Sequence, residues 1–144
     1  MSENSTSQLD AALGYLIVRA TLGLNISIHG LSRIIAGPTS FAHSLTTMFE
    51  HTFLPASLVY LFGLCLPWAE AIVGGLVFVG LCTRYALVGG AFLILNLTFG
   101  ATLRQDWESA GLQLVYVAIY AALLAFRRYN AFSVDGYFTR KDPD

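Results

Sequence analysis

Four stretches of about twenty mostly apolar residues dominate the sequence: Ala11 to Ile28 with an apolar continuation to Ile35, Pro55 to Leu81, Tyr85 to Leu103, and Ala110 to Phe126. A helix needs about 20 such residues to cross a hydrocarbon layer ~30 Å thick, and meeting that length four times in 144 residues leaves little chain for anything else. Only 12% of the residues are charged, against about 25% in soluble domains. That is too little charge to give each helix a hydrated face, so lipid must do the solvating. The sequence therefore predicts an all-α integral membrane four-helix bundle, a single domain over residues 1–144 with no linker and no low-complexity tract.

Local signals set the boundaries. Asp10 is placed to cap the first helix, and Gly37-Pro38 ends it. From Thr39 to Leu54, Phe41, Leu45, Met48, Phe49 and Phe53 recur every three to four residues among Ser, Thr, His43, Glu50 and His51. The stretch is too short and polar to span, which predicts an interfacial amphipathic helix between spans 1 and 2. Pro55 suits a first helical turn, and Pro67 interrupts the second span, freeing the carbonyl of Gly63. Cys82-Thr83-Arg84 reads as a turn, Arg104 to Ser109 as a loop, and the residues after Arg127-Arg128 as a short charged tail. Cys65 and Cys82, read as lying on one helix, would stand roughly 25 Å apart and so cannot pair with each other. Val73-Gly74-Gly75 and Val88-Gly89-Gly90 predict close helix packing.

Four spans put both termini on one side. That side holds Arg84, Arg127, Arg128, Arg140 and Lys141, and the opposite loops hold Arg33 and Arg104. Five cations against two predict cytoplasmic termini in a bacterial or archaeal cell membrane. The first ten residues are polar and acidic, unlike a cleaved signal peptide, so the first apolar segment is expected to be retained. A net charge of −1, with no basic run longer than two residues, excludes nucleic acid as a main partner. No spacing of Cys and His suggests a metal site, and a bis-histidine haem would need a second imidazole facing His29. Three Asn-x-Ser/Thr tripeptides, at Asn4, Asn25 and Asn96, read as chance matches in cytoplasm or lipid.

Two groups of polar residues are not explained by lipid. Arg19 and Glu70, counted from the ends of their spans, lie about 14 Å and 17 Å deep, so a buried Arg19–Glu70 pair is expected. Asn96, Gln113 and Tyr116 come to a similar level. Such a cluster is either a proton path or ligand pocket, or simply the polar glue of the bundle. The second group is a stripe, Asn25, His29 and Arg33, rising toward the outer interface, where His43, His51, Arg104 and Trp107 can join it. Imidazole and guanidinium suit a quinone head group or an oxyanion there, and equally a belt of snorkelling side chains.

Taken in order, these residues resemble the DoxX/DoxD membrane proteins. Arg19-Ala-Thr-Leu-Gly23, His29-Gly30 and Arg33 are similar to the family's first helix, and Pro67, Glu70, Gly74-Gly75 and Gly80-Leu81-Cys82-Thr83-Arg84 to its second. Phe99-Gly100, Asp106-Trp107, Gln113, Tyr116 and Ser133-Val134-Asp135 look closer to the DoxD branch, the small subunit of thiosulfate:quinone oxidoreductase. Two departures stand against the DoxX branch: Arg33 stands where Lys is common, and no Gly-Pro-Gly precedes Ser133. The resemblance implies a membrane subunit of a quinone-linked oxidoreductase, with quinone bound or as substrate. Electrons would come from partner subunits, since no flavin or metal site is legible here. Arg19 and Glu70 are the expected catalytic pair, and Asn25, His29, Arg33, Asn96, Arg104, Trp107, Gln113 and Tyr116 the expected quinone- or anion-binding residues. The alternative is a non-catalytic anchor of a larger respiratory or photosynthetic complex.

Overall fold

A computed structural model describes residues 3–141. The last residues of the charged tail, Asp142, Pro143 and Asp144, lie outside the described residues. The elements are α1 (Glu3–Ala36), α2 (Pro38–Met48), α3 (Ala56–Val79), α4 (Thr83–Leu103), α5 (Trp107–Ala125), a 3₁₀ turn (Arg127–Tyr129) and α6 (Val134–Lys141), with no strand among the described residues. Helices α1, α3, α4 and α5 are each long and apolar enough to cross a membrane. The protein is an all-α membrane bundle. Its outer surface agrees, because Ile17 (64%), Phe92 (64%) and Leu114 (62%) are exposed on three different spans, a pattern that water would penalise and lipid favours.

Helix α1 is 34 residues long, about 51 Å at 1.5 Å per residue. Asp10 is therefore inside the helix rather than its cap, since the polar residues before it continue the turn begun by the apolar stretch. Gly37, at φ 104°, makes the bend that Pro38 then fixes as the first residue of α2. Pro67 sits within α3 without ending it, and α3 stops at Gly80, a left-handed C-cap at φ 71°. Cys82, at φ 48°, precedes α4, so the two cysteines are not on one helix; both are free and exposed.

The closest packing joins α1 to α3. A Cβ at Gly23 would strike the backbone of Phe78 and Gly74, one at Gly30 would strike Ala71 and Pro67, and one at Gly74 would strike Ser27. Three glycines thus let the two backbones touch, the usual source of van der Waals gain between membrane helices. They also set the register, with Gly23 opposite Gly74–Phe78 and Gly30 opposite Pro67–Ala71. Helix α2 lies on α3, where Gly63 makes room for Ala42. Gly90 of α4 accepts the ring of Tyr120 from α5, and Tyr15, Leu22, Ile26, Val77, Leu87, Ile94 and Leu123 complete the core.

Candidate functional site

At the end of the bundle away from the termini, residues of α1 to α5 line a cavity of about 440 Å³. Its wall is mainly apolar, with Phe41 and Leu45 from α2, Val59, Phe62 and Leu66 from α3, and Leu97 and Phe99 from α4. Five polar residues break that wall: Arg33, Asn96, Arg104, Ser109 and Gln113. An apolar pocket of this size with a few convergent polar groups is the usual form of a small-molecule site. Met48, Leu58, Phe62 and Phe99 line it while also exposed on the surface, so its mouth faces the region where lipid would lie.

Both cationic groups of the cavity are built the same way. The Arg33 guanidinium, in the last turn of α1, donates through Nη1 to Oε2 of Glu70 and lies 4.7 Å over the ring of Phe41. The Glu70 side chain is 4% exposed, sealed behind the arginine. Arg104, the C-cap of α4, donates through Nη2 to Oδ2 of Asp106 at 3.2 Å and lies 5.2 Å from the centre of the Phe49 ring. Asp106 is also the N-cap of α5, accepting from Ser109 N at 3.1 Å. The hydrogen bonds from Ser109 hold the Asp106 carboxyl below the usual carboxylate range against an opposing desolvation, with a lesser contribution from the Arg104 charge. Two polar atoms of the wall are buried without a partner, Nε of Arg104 and Oε1 of Gln113.

The expected Arg19–Glu70 pair is not formed. Register explains why: four residues before Gly23, Arg19 faces the end of α3, about 15 Å along the axis from Glu70. The sequence-based depth was measured from Asp10, whereas α1 begins at Glu3 and runs well past the end of α3. Arg19, 2% exposed, donates instead to three carbonyls: Val77 O (2.6 Å) and Phe78 O (2.7 Å) through Nη1, and Phe132 O (2.8 Å) through Nη2. The first two belong to the last turn of α3, where carbonyls lack helical donors and the dipole attracts a cation. Gly80 is required twice here, for its positive φ and because a Cβ would come within 2.7 Å of Arg19 Nη1.

The tail is a clasp at this end. Asp135 of α6 accepts from Cys82 N (2.8 Å) and Thr83 N (2.7 Å), capping α4 from outside the helix. Burial works to raise the Asp135 carboxyl, but the hydrogen bonds from Thr83 and Cys82, with the Arg127 charge, hold it below the usual carboxylate range. Sequence reasoning missed this contact, although Ser133-Val134-Asp135 was the signal for it. Ser133 Oγ accepts from Gly136 N at 3.0 Å, as an N-cap does.

Of the expected site residues, Arg33, Asn96, Arg104 and Gln113 line one cavity, and Glu70 holds one of them. The remainder lie elsewhere. Tyr116 donates to Asn25 Oδ1 at 3.1 Å, joining α5 to α1. His29 is exposed, and Trp107 is 65% exposed at the start of α5. His43 packs beside Tyr60 and His51 beside Glu50, so neither joins the stripe. The stripe divides because equal spacing of four drifts around a helix of 3.6 residues per turn. Asn96 spends its amide donor on Phe92 O at 2.7 Å, within its own helix. Ser109, Phe41, Phe49 and Asp106 belong to the site although the sequence gives no reason to place them among the binding residues. No group of three or more His, Cys, Asp or Glu side chains gathers as for a metal among the described residues.

Fold and site together define a membrane protein of four long apolar helices with a mainly apolar cavity at one end that a few polar residues enter. Comparison with family profiles, curated proteins and solved structures finds no match.

Proposed function

We propose that this protein is the quinone-binding membrane subunit of a quinone-linked oxidoreductase, akin to the DoxD-type subunits of thiosulfate:quinone oxidoreductase, and that the cavity of α1–α5 is its binding site. The observation that carries the reading is an apolar cavity walled by phenylalanines into which Arg104 and Gln113 bring polar groups, with Arg104 Nε and Gln113 Oε1 buried in those side chains and unpartnered. A quinone has carbonyl oxygens that need donors, its reduced form has hydroxyls that need acceptors, and its ring and tail need apolar contact. Reduction of a quinone to its quinol takes up two electrons and two protons, which is the chemistry the bound group would supply. This chain's part is to hold the head through Arg104 and Gln113 and to shield it with Phe41, Phe49, Phe62 and Phe99, while Glu70 and Asp106 fix the two arginines from one residue behind the wall. A partner subunit supplies the electrons. The exposed apolar rim suits a ligand that arrives through the bilayer.

The test is binding of decylubiquinone by the purified protein in mild detergent. Saturable binding with a Kd in the micromolar range is expected, and its absence would leave the reading without support. In that case the anchor function gains, which the structural role of Arg19 already favours at the other end of the bundle.

We further propose that the termini lie in the cytoplasm of a bacterial or archaeal cell, as the five-to-two division of cations suggests. Cys82, exposed at the α3–α4 turn on the side of the termini, reports this directly. A membrane-impermeant maleimide is expected to label Cys82 in inverted vesicles and not in intact cells or spheroplasts. The reverse pattern would turn the protein over.

A further inference from the structure

Two arginines in one small cavity ordinarily make an anion site, because guanidinium groups bind oxyanions in pairs and gain most where water is excluded. Here each arginine already has a carboxylate of its own. Glu70 takes Arg33, and Asp106 takes Arg104 at 3.2 Å. Each guanidinium is also covered on one face by a phenylalanine, Phe41 or Phe49. The formal charge of the four groups is zero, while each guanidinium keeps N–H groups that its carboxylate does not take. A carboxylate behind each cation therefore repels an entering anion at about the range over which the arginine attracts it. An uncharged ligand with oxygen acceptors meets donors and no such opposition.

Resting on the reading of this cavity as a ligand site, we propose that Glu70 and Asp106 are its specificity-determining residues: by neutralising Arg33 and Arg104 they make it select an uncharged, carbonyl-bearing amphiphile and reject oxyanions. Neither carboxylate needs to touch the ligand. Each acts through the arginine it holds, and its removal is expected to change which ligand class binds before it changes how well the protein folds.

The experiment compares two probes, decylubiquinone and sulfate, by calorimetric titration of wild type, Glu70→Gln, Asp106→Asn and the double variant in the same detergent. Both substitutions remove a charge while keeping an oxygen acceptor for the arginine, and Asn is as good an N-cap as Asp, so Asp106→Asn is the variant that keeps α5 capped. Wild type is expected to bind the quinone and show no saturable sulfate binding. Each single variant should gain sulfate affinity by roughly tenfold or more, the double variant further, with the gain shrinking at high salt. Quinone binding by wild type with no gain of sulfate binding in any variant overturns this inference and leaves the quinone reading standing. Sulfate gained by the variants with no quinone bound by any of them supports charge cancellation and removes the quinone reading. Saturable sulfate binding by wild type, or no binding of either probe by any chain, overturns it outright. Should Glu70→Gln fail to give a monodisperse protein, Asp106→Asn alone decides by the same criteria.

Discussion

Arg19→Leu is expected to lower the stability of the detergent-solubilised protein by about 2–4 kcal/mol and to free its C-terminal segment. The variant removes three charge-assisted hydrogen bonds and leaves the part-buried Phe78 O and Phe132 O without their donor, at roughly 1–3 kcal/mol for a fully buried acceptor and less for these two. Val77 O loses less, because it also accepts from Gly80 N at 3.2 Å. Leucine in turn spares the cost of burying a guanidinium, which keeps the net loss below the sum. The site of the damage is specific. Amide exchange should accelerate in α6 and at the α3–α4 turn, while the cavity at the far end keeps its ligand. Exchange in α6 at the wild-type rate, with α3 alone destabilised, would show that the Phe132 contact does not hold the tail. Acid probes the same clasp from the other side. The Asp135 carboxyl is held below its unfolded value, so its contribution is fully present above about pH 4 and is lost as pH falls through the lower folded value. Docking of α6 should therefore be constant from pH 5 to 7, after correction for intrinsic exchange, and fail only in stronger acid.

The same arginine shows where the sequence was legible and where it was not. Spans could be read because hydrophobic length is a local property: the observed ends of α3, α4 and α5 differ from the expected ones by at most three residues. Pairing across spans is not local. Depth arithmetic needs a common origin, and α1, which starts at Glu3 and overshoots α3, supplied a false one. Glycines carried the missing information, since Gly23, Gly30 and Gly74 fix the register, but their contacts exist only once two helices meet. Glu70 has a cationic partner inside the protein, but that partner is Arg33 of the outward stripe rather than the expected Arg19. Asp106 was hidden for a different reason. In the sequence it stands out only as half of Asp106-Trp107 within a six-residue polar loop, whereas the loop is a tight turn, with Gln105 at φ 59°, that makes Asp106 both a helix cap and the partner of Arg104. Phe41 and Phe49 were visible as the apolar stripe of an interfacial helix, and only the fold assigns them to the two guanidinium faces.

Arg104→Gln should weaken decylubiquinone binding by roughly 10- to 100-fold, the range expected for a hydrogen bond to a charged group worth about 1.5–3 kcal/mol. Arg104→Lys separates the two properties of the side chain. Lysine keeps the positive charge near Asp106 but has no Nε–H and no planar fork, so if the unused Nε is the donor to the ligand, the lysine variant falls nearly as far as the glutamine variant. Wild-type affinity in Arg104→Lys would assign the effect to charge and empty the Nε argument. Gln113→Leu tests the second half of the pair. It replaces the amide, unpartnered acceptor and N–H donors together, by a branched apolar group, whereas Gln113→Glu keeps the acceptor and loses the donors; if the acceptor matters, the leucine variant should weaken the quinol more than the glutamate variant does, because the quinol's hydroxyls are the groups that need an acceptor. A cycle of the two substitutions then asks whether they meet on one ligand: a shared head group predicts that their losses fail to add, whereas independent effects on protein packing predict simple addition.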